Sequence, residues 1–145
     1  MKLEDQVCSL ELALKLRELG VKQDSYFYYC YSKRCEQYFI YSQDELDNYD
    51  RREDLMVREY SAFSVAELGI ILSSNKNLII ISDFSFYEGI NKVMYSCAFE
   101  ILDRIEQPLT ETSDEKESDA RSKMLIYLIE NKFVTVEEIN ARMSE

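Results

Sequence analysis

The chain has no histidine and no tryptophan, and only one proline and three glycines in 145 residues. Without histidine it lacks the commonest general base and the commonest metal ligand. Ser–His and Cys–His nucleophile pairs cannot be built within it. No glycine-rich phosphate loop occurs. Carboxylates are plentiful, but nothing singles out one pair as general acid and base. The expectation is a protein without catalytic residues and without a cofactor. So little proline and glycine leaves few special turns and little linker, and the whole of 1–145 is expected to form one domain. No apolar run approaches the roughly 20 residues of a membrane span. Met1-Lys-Leu-Glu-Asp5 has no apolar signal core, so a cytosolic protein is expected.

Cysteine is present without metal-site spacing. Cys8, Cys30, Cys35 and Cys97 contain no CxxC pair, and without histidine a zinc site would need all four thiolates. No metal is expected. Cys30 and Cys35 flank a predicted turn. With Ser32 opposite Gln37, Cys30 faces Phe39 rather than Cys35, so a bridge would need another register. Buried free thiols are the expected state.

What is abundant is negative charge. The formal net charge is −11, which removes the electrostatic term that direct nucleic-acid binding depends on. The acid is concentrated twice. Asp44 to Glu59 holds seven acidic residues against Arg51, Arg52 and Arg58, and Glu100 to Asp119 holds eight against Arg104 and Lys116. Such surfaces keep a protein soluble. They also steer toward basic partners, including proteins that normally bind nucleic acid.

The strongest helical stretch is Asp119-Ala-Arg-Ser-Lys-Met-Leu-Ile-Tyr-Leu-Ile-Glu-Asn131. Ala120, Met124, Tyr127, Leu128 and Asn131 follow the 3.6-residue period. Leu125, Ile126 and Ile129 widen the apolar surface enough for burial against a sheet, with room for a second helix. Thr112-Ser-Asp-Glu115 fits a capping box for it, and Ser118 is another start. Val7 to Leu19 reads as a first helix stopped by Gly20. Ser64-Val-Ala-Glu67 and Thr135-Val-Glu-Glu138 are two further capping boxes, the first opening a short helix to Leu72. The last two helices of the chain have the spacing of a helix-turn-helix, but Glu137, Glu138 and Glu145 face Arg142 alone, so a structural corner is expected instead.

Two aromatic runs, Tyr26-Phe-Tyr-Tyr-Cys-Tyr-Ser32 and Gln37-Tyr-Phe-Ile-Tyr-Ser42, read as a hairpin. Neither face is polar, which implies a two-sided central ribbon or one exposed aromatic face. Tyr rings pack while leaving hydroxyls wet. Alternatively, Tyr26, Tyr28, Tyr29, Tyr31, Tyr38 and Tyr41 form a wall on which a base or peptide stacks, although only Lys33 and Arg34 lie nearby to neutralise phosphates. Gln43 to Glu59 reads as a long loop or a partly helical insertion. Its Asp44, Asp47, Asp50 and Asp54 are candidate binding carboxylates, but they lack the glycine turn and terminal bidentate Glu of a calcium loop. Asn77 to Ser82 is a buried strand, Asn75-Lys76 and Asp83 to Gly89 are turns, and Lys92 to Leu102 alternates like a strand, with a helix as fallback. Pro108 ends what precedes it. The expected fold is α+β, a mostly antiparallel sheet of about four strands with helices packed on one face.

Cys8-Ser-Leu-Glu-Leu-Ala-Leu-Lys-Leu-Arg-Glu-Leu-Gly-Val21, Ser25-Tyr-Phe-Tyr28, Ala62-Phe-Ser-Val-Ala-Glu-Leu-Gly69 and Asp119 to Asn131 occur in an order and spacing that resembles a family of small phage and prophage proteins of unknown function. Asn75 to Pro108 departs from that pattern, as does Ser73 where such proteins continue with proline. The resemblance implies a phage genome and a bacterial cytoplasm. It brings no catalytic motif. Together with the acidity it points to an accessory protein that binds another protein, in a narrower version an inhibitor of a host defence system that presents carboxylates as a phosphate mimic. The alternative is a small-molecule binder, for a nucleotide signal, that uses the tyrosine-rich hairpin.

Overall fold

The computed structural model describes residues 2–48, 56–73, 78–87, 91–101 and 110–144, without the side chains of 78, 79, 87, 101 and 110. After a 3-10 turn at Leu3–Asp5 the elements run α1 (Leu10–Glu18), β1 (Phe27–Ser32), β2 (Gln37–Ser42), α2 (Gln43–Asp47), β3 (Met56–Ser61), α3 (Val65–Ser73), β4 (Leu78–Tyr87), β5 (Lys92–Ile101), β6 (Thr110–Asp114), α4 (Glu117–Glu130) and α5 (Val136–Arg142). The fold is α+β and its described sheets are antiparallel. The strands form two sheets of three, β2-β1-β3 and β4-β5-β6, rather than about four strands in one. Helices are correspondingly not confined to one face of one sheet. α4 packs on β5 and β6 and also against α3 and α1, while α1 reaches β3 of the other sheet.

The wide apolar face of α4 accounts for this central position. Ala120, Met124, Leu125, Ile126 and Leu128 are all buried. They join one core cluster with Leu16, Tyr29, Phe63, Leu68, Phe99 and Ile139. The helix does not start at Thr112. That residue lies in β6, and its hydroxyl donates to the Ala120 carbonyl at 2.8 Å. Lys116 holds the N-cap position, and Ser118 sits inside the first turn.

α1 is shorter than Val7 to Leu19 because Val7 pairs with Ser64 in an isolated antiparallel bridge. Gly20 has φ 90. It sits where a left-handed residue lets the Val21 N–H reach the Leu16 carbonyl and the Gly20 N–H reach Arg17, a Schellman closure. The boxes at Ser64–Glu67 and Thr135–Glu138 cap α3 and α5. A further box, Ser42–Glu45, caps α2.

The β1–β2 register places Ser32 opposite Gln37 and Cys30 opposite Phe39. Other strands depart from expectation. Met56–Ser61, whose first four residues fall in the stretch expected to be a loop or partly helical insertion, pairs with β1 and makes it the central strand. Lys92–Ile101, by contrast, is the strand that its alternation predicts, over the helix fallback. β4 continues through Tyr87 instead of turning at Asp83, because Phe84 and Phe86 keep pairing with Tyr95 and Val93. β6 lies inside the second acidic segment and pairs with β5. The expected turn at Asn75-Lys76 and the stop at Pro108 lie outside the described residues.

Residues 7–9 tie these pieces together. The Val7 carbonyl accepts from Ser118 Oγ at 2.8 Å. The Cys8 N–H donates to Phe63, and the Cys8 carbonyl accepts from Tyr29 Oη at 2.7 Å. The Ser9 N–H donates to Asp119 Oδ1 at 2.6 Å. This clasp joins the N-terminal segment to β1, to the chain entering α3 and to the first turn of α4, in a region where an unmatched polar group would be costly.

Candidate binding surface

Apart from Tyr26, the tyrosines of the hairpin are buried or half-buried. Tyr28 and Tyr29 alternate to opposite faces of β1, and they are 3 % and 8 % exposed. The Arg58 guanidinium lies 4.4 Å from the Tyr28 ring centre. Tyr31 and Tyr38 are half-buried neighbours with ring centres 5.2 Å apart, and Tyr38 lies 6.0 Å from Tyr60. Tyr38 Oη donates to Glu59 at 2.5 Å, and that hydrogen bond, with burial, pushes the phenol well above its ordinary range. Tyr41 is half-buried. Tyr26 is exposed, and its hydroxyl donates to Asp44 at 2.5 Å, which raises its pKa. Asp47 accepts from Gln43 at 2.5 Å within α2. Asp50 and Asp54 lie outside the described residues. Of the ten candidate residues the structure thus joins Tyr26 with Asp44 and Tyr31 with Tyr38, and it separates Tyr28 from Tyr29 by the thickness of the sheet.

Many carboxylates have local work. In the second acidic segment Asp114 holds Lys123 at 2.7 Å and Glu117 holds Arg121 at 2.6 Å. Glu115 pairs with Lys92, and Asp119 lies 3.7 Å from Lys116. Burial acts to raise the Asp114 carboxyl, but hydrogen bonds from Lys123 and from the Lys116 N–H outweigh it and hold the group below the usual range. Glu45 and Glu138 are held low by the backbone N–H groups of Ser42 and Thr135, the acceptor half of each capping box.

Cys8, Cys30 and Cys97 are buried and Cys35 is exposed, all as free thiols. Burial pushes Cys8 up to about 12 and Cys30 up to about 11, so neither is poised as a nucleophile. Among the described residues no group of three or more Cys, Asp or Glu is arranged to hold a metal ion, and no helix is long and apolar enough to cross a membrane.

Among the described residues, a cluster of exposed apolar side chains lies elsewhere, on the β4–β5 hairpin. β6 pairs with β5 only as far as Tyr95, so the pairs beyond it, Ser85–Met94, Phe86–Val93 and Tyr87–Lys92, form a two-stranded arm. Residues 81–86 are exposed along both faces. Phe84 is 68 %, Phe86 55 % and Ile81 46 % exposed. Residues opposed across the ladder share a face, so Phe84, Phe86, Val93 and Tyr95 line one side. Phe84 and Tyr95 have ring centres 6.4 Å apart. Tyr95 also borders a groove of about 720 Å³, whose apolar lining includes Phe27 and Val65 and whose polar lining includes Asp5, Glu115, Lys116 and Glu117. The sequence held a signal for the arm, namely Phe84 and Phe86 alternating with Asp83 and Ser85. The groove had none, because Phe27, Val65 and Tyr95 come from three distant segments.

No family model matches the chain, and no curated protein or solved structure matches it.

Proposed function

We propose that this chain is a small accessory protein, of the kind phage and prophage genomes encode, that acts in a bacterial cytoplasm by binding another protein at the groove that Tyr95 of β5 borders. The observation that carries this is the apolar groove of about 720 Å³ beside a run of exposed aromatics. Contiguous exposed apolar surface on a soluble protein marks interaction sites more often than chance, and aromatics are enriched at interface cores. The rim carboxylates favour a basic partner. Glu115 and Glu117 already hold Lys92 and Arg121, and an incoming basic side chain competes for the same oxygens. A partner that handles nucleic acid fits that chemistry, and inhibition of a host defence system is the narrower version of the role. A nucleotide stacked on the tyrosine hairpin has less support, since Tyr28 and Tyr29 offer almost no open ring surface.

The test is affinity purification of the tagged chain from infected host cells at low salt, alongside the Ala66→Arg variant. Ala66 is an exposed residue of the groove lining, so the arginine fills the groove without entering the core. A single basic protein captured by the parent chain, released by salt and absent with Ala66→Arg is the expected result. Equal capture by both chains, or no capture, removes the groove from the account.

A further inference from the structure

The outer edge of β4 is a different surface from the groove. β4 is an end strand of its sheet, ten residues long and paired on the β5 side alone among the described residues. Soluble proteins blunt such edges with short strands, charges, proline or cover. The opposite edge of the same sheet follows that rule, since β6 has five residues and two of them are Glu111 and Asp114. β2, another end strand without charged residues, has residues 38–42 half-buried. β4 is long and proline-free, and among the described residues no strand pairs with its outer edge. Its sequence, Leu-Ile-Ile-Ile-Ser-Asp-Phe-Ser-Phe-Tyr, contains no Lys, Arg, Pro or Gly and a single charge, Asp83. Residues 81–86 are all exposed. A two-stranded ribbon in water is marginal until a third strand or a packing layer joins it.

We infer that β4 pairs with β4 of a second copy, antiparallel about a twofold axis, to make a continuous six-stranded sheet. Charge favours self-association here over elsewhere on the molecule. The chain carries −11 overall, so most surfaces of two copies repel. Residues 81–86 of β4 carry one charge, Asp83, and Lys92 on β5 is already neutralised by Glu115. An isologous contact needs one patch that complements itself, and an antiparallel strand edge does so through its backbone. A twofold normal to the sheet keeps side chains of the same face opposed, so the residue on the axis meets its own copy. With Asp83 on the axis two carboxylates would meet. The registers that fit place Ser82 or Phe84 there. Because the contact uses the edge and not the groove, each copy keeps its own groove available.

The experiment is sedimentation equilibrium of the full chain over a range of concentrations, with Phe84→Lys/Phe86→Lys alongside. The parent chain is expected to dimerise, and the double variant to weaken the dimer by roughly a hundredfold by placing two lysines on each pairing edge while keeping the parent's circular dichroism. In a Cys35→Ser/Cys97→Ala background, which removes the thiol that Ser82 touches within its own chain, either Ser82→Cys or Phe84→Cys is expected to form a disulfide to its own copy on mild oxidation, and Asp83→Cys is not. A chain that stays monomeric at every concentration overturns the inference. So does a dimer that the double variant leaves intact, or one in which neither cysteine links. A monomer that captures a different protein, and loses it with Phe84→Lys/Phe86→Lys but keeps it with Ala66→Arg, assigns the edge to a partner's strand and also overturns self-pairing.

Discussion

Residues 7–9 and residues 81–86 are both short extended segments with strong apolar content, yet their surroundings are opposite. In the first, Val7, Cys8 and Ser9 direct four backbone polar groups at Ser118, Phe63, Tyr29 and Asp119, and Val7 and Cys8 are fully buried. In the second, β5 covers one edge and the described residues leave the other edge and much of both faces to solvent. A segment whose backbone groups are matched within the chain adds to cooperativity. A segment left with open donors, acceptors and apolar side chains adds little to the stability of one copy and is a place to meet another molecule.

The contrast is sharpest when it is attacked at the clasp. Asp119→Ala removes the acceptor for the Ser9 N–H and leaves that donor in a largely buried site. The expected cost is about 2–3 kcal/mol, read from the midpoint of urea unfolding. Tyr29→Phe removes the donor to the Cys8 carbonyl and keeps the ring, so about 1 kcal/mol is expected from the same measurement. Acid should weaken the fold as well. Asp114, Glu45 and Glu138 have folded pKa values below their ordinary values of 3.8, 4.5 and 4.5. A depressed carboxyl contributes its stability in full above the unfolded pKa and loses it as the pH falls through the folded one. Thermal unfolding followed at decreasing pH should therefore show a falling midpoint that begins below about pH 4.5, and Asp114→Asn should flatten part of that fall. The smallest effect belongs to the arm. Phe84→Lys/Phe86→Lys, measured at a dilution where the chain is monomeric, should change stability by less than about 0.5 kcal/mol, as for exposed positions generally. A large loss there would mean that the arm supports the core and would erase the contrast.

How much of this was legible in the sequence depended on whether the deciding contacts were local. The central helix, the boxes at Ser64 and Thr135, the Gly20 stop and the β1–β2 register were readable, because each is set within a few residues. Thr112–Glu115 matched the same capping pattern and was misleading. Thr112 had a strand partner available in Cys97, and pairing won over capping. β3 and β6 were missed for a related reason. Met56–Ser61 carries Arg58 and Glu59, and Thr110–Asp114 carries two acids, so neither looks like a strand until β1 or β5 lies beside it. Asp83 suggested a turn, which hid the alternation of Phe84 and Phe86 and with it the arm. The tyrosine run posed a choice between a two-sided ribbon and an exposed aromatic face. β1 is a central strand, with Tyr28 and Tyr29 buried on either side. The clasp was out of reach, since Ser9 and Asp119 are 110 residues apart.

The most direct test is amide hydrogen exchange at dilute and at concentrated protein, resolved to single residues. The Cys8 and Ser9 amides are expected to exchange only with global unfolding and to be indifferent to concentration. The β4 amides that point away from β5 are expected to exchange quickly in dilute solution and to slow as the concentration rises. Outward β4 amides that exchange at one fast rate throughout would contradict the open, self-pairing edge. Outward β4 amides as slow as Ser9 in dilute solution would contradict the distinction between the two segments itself.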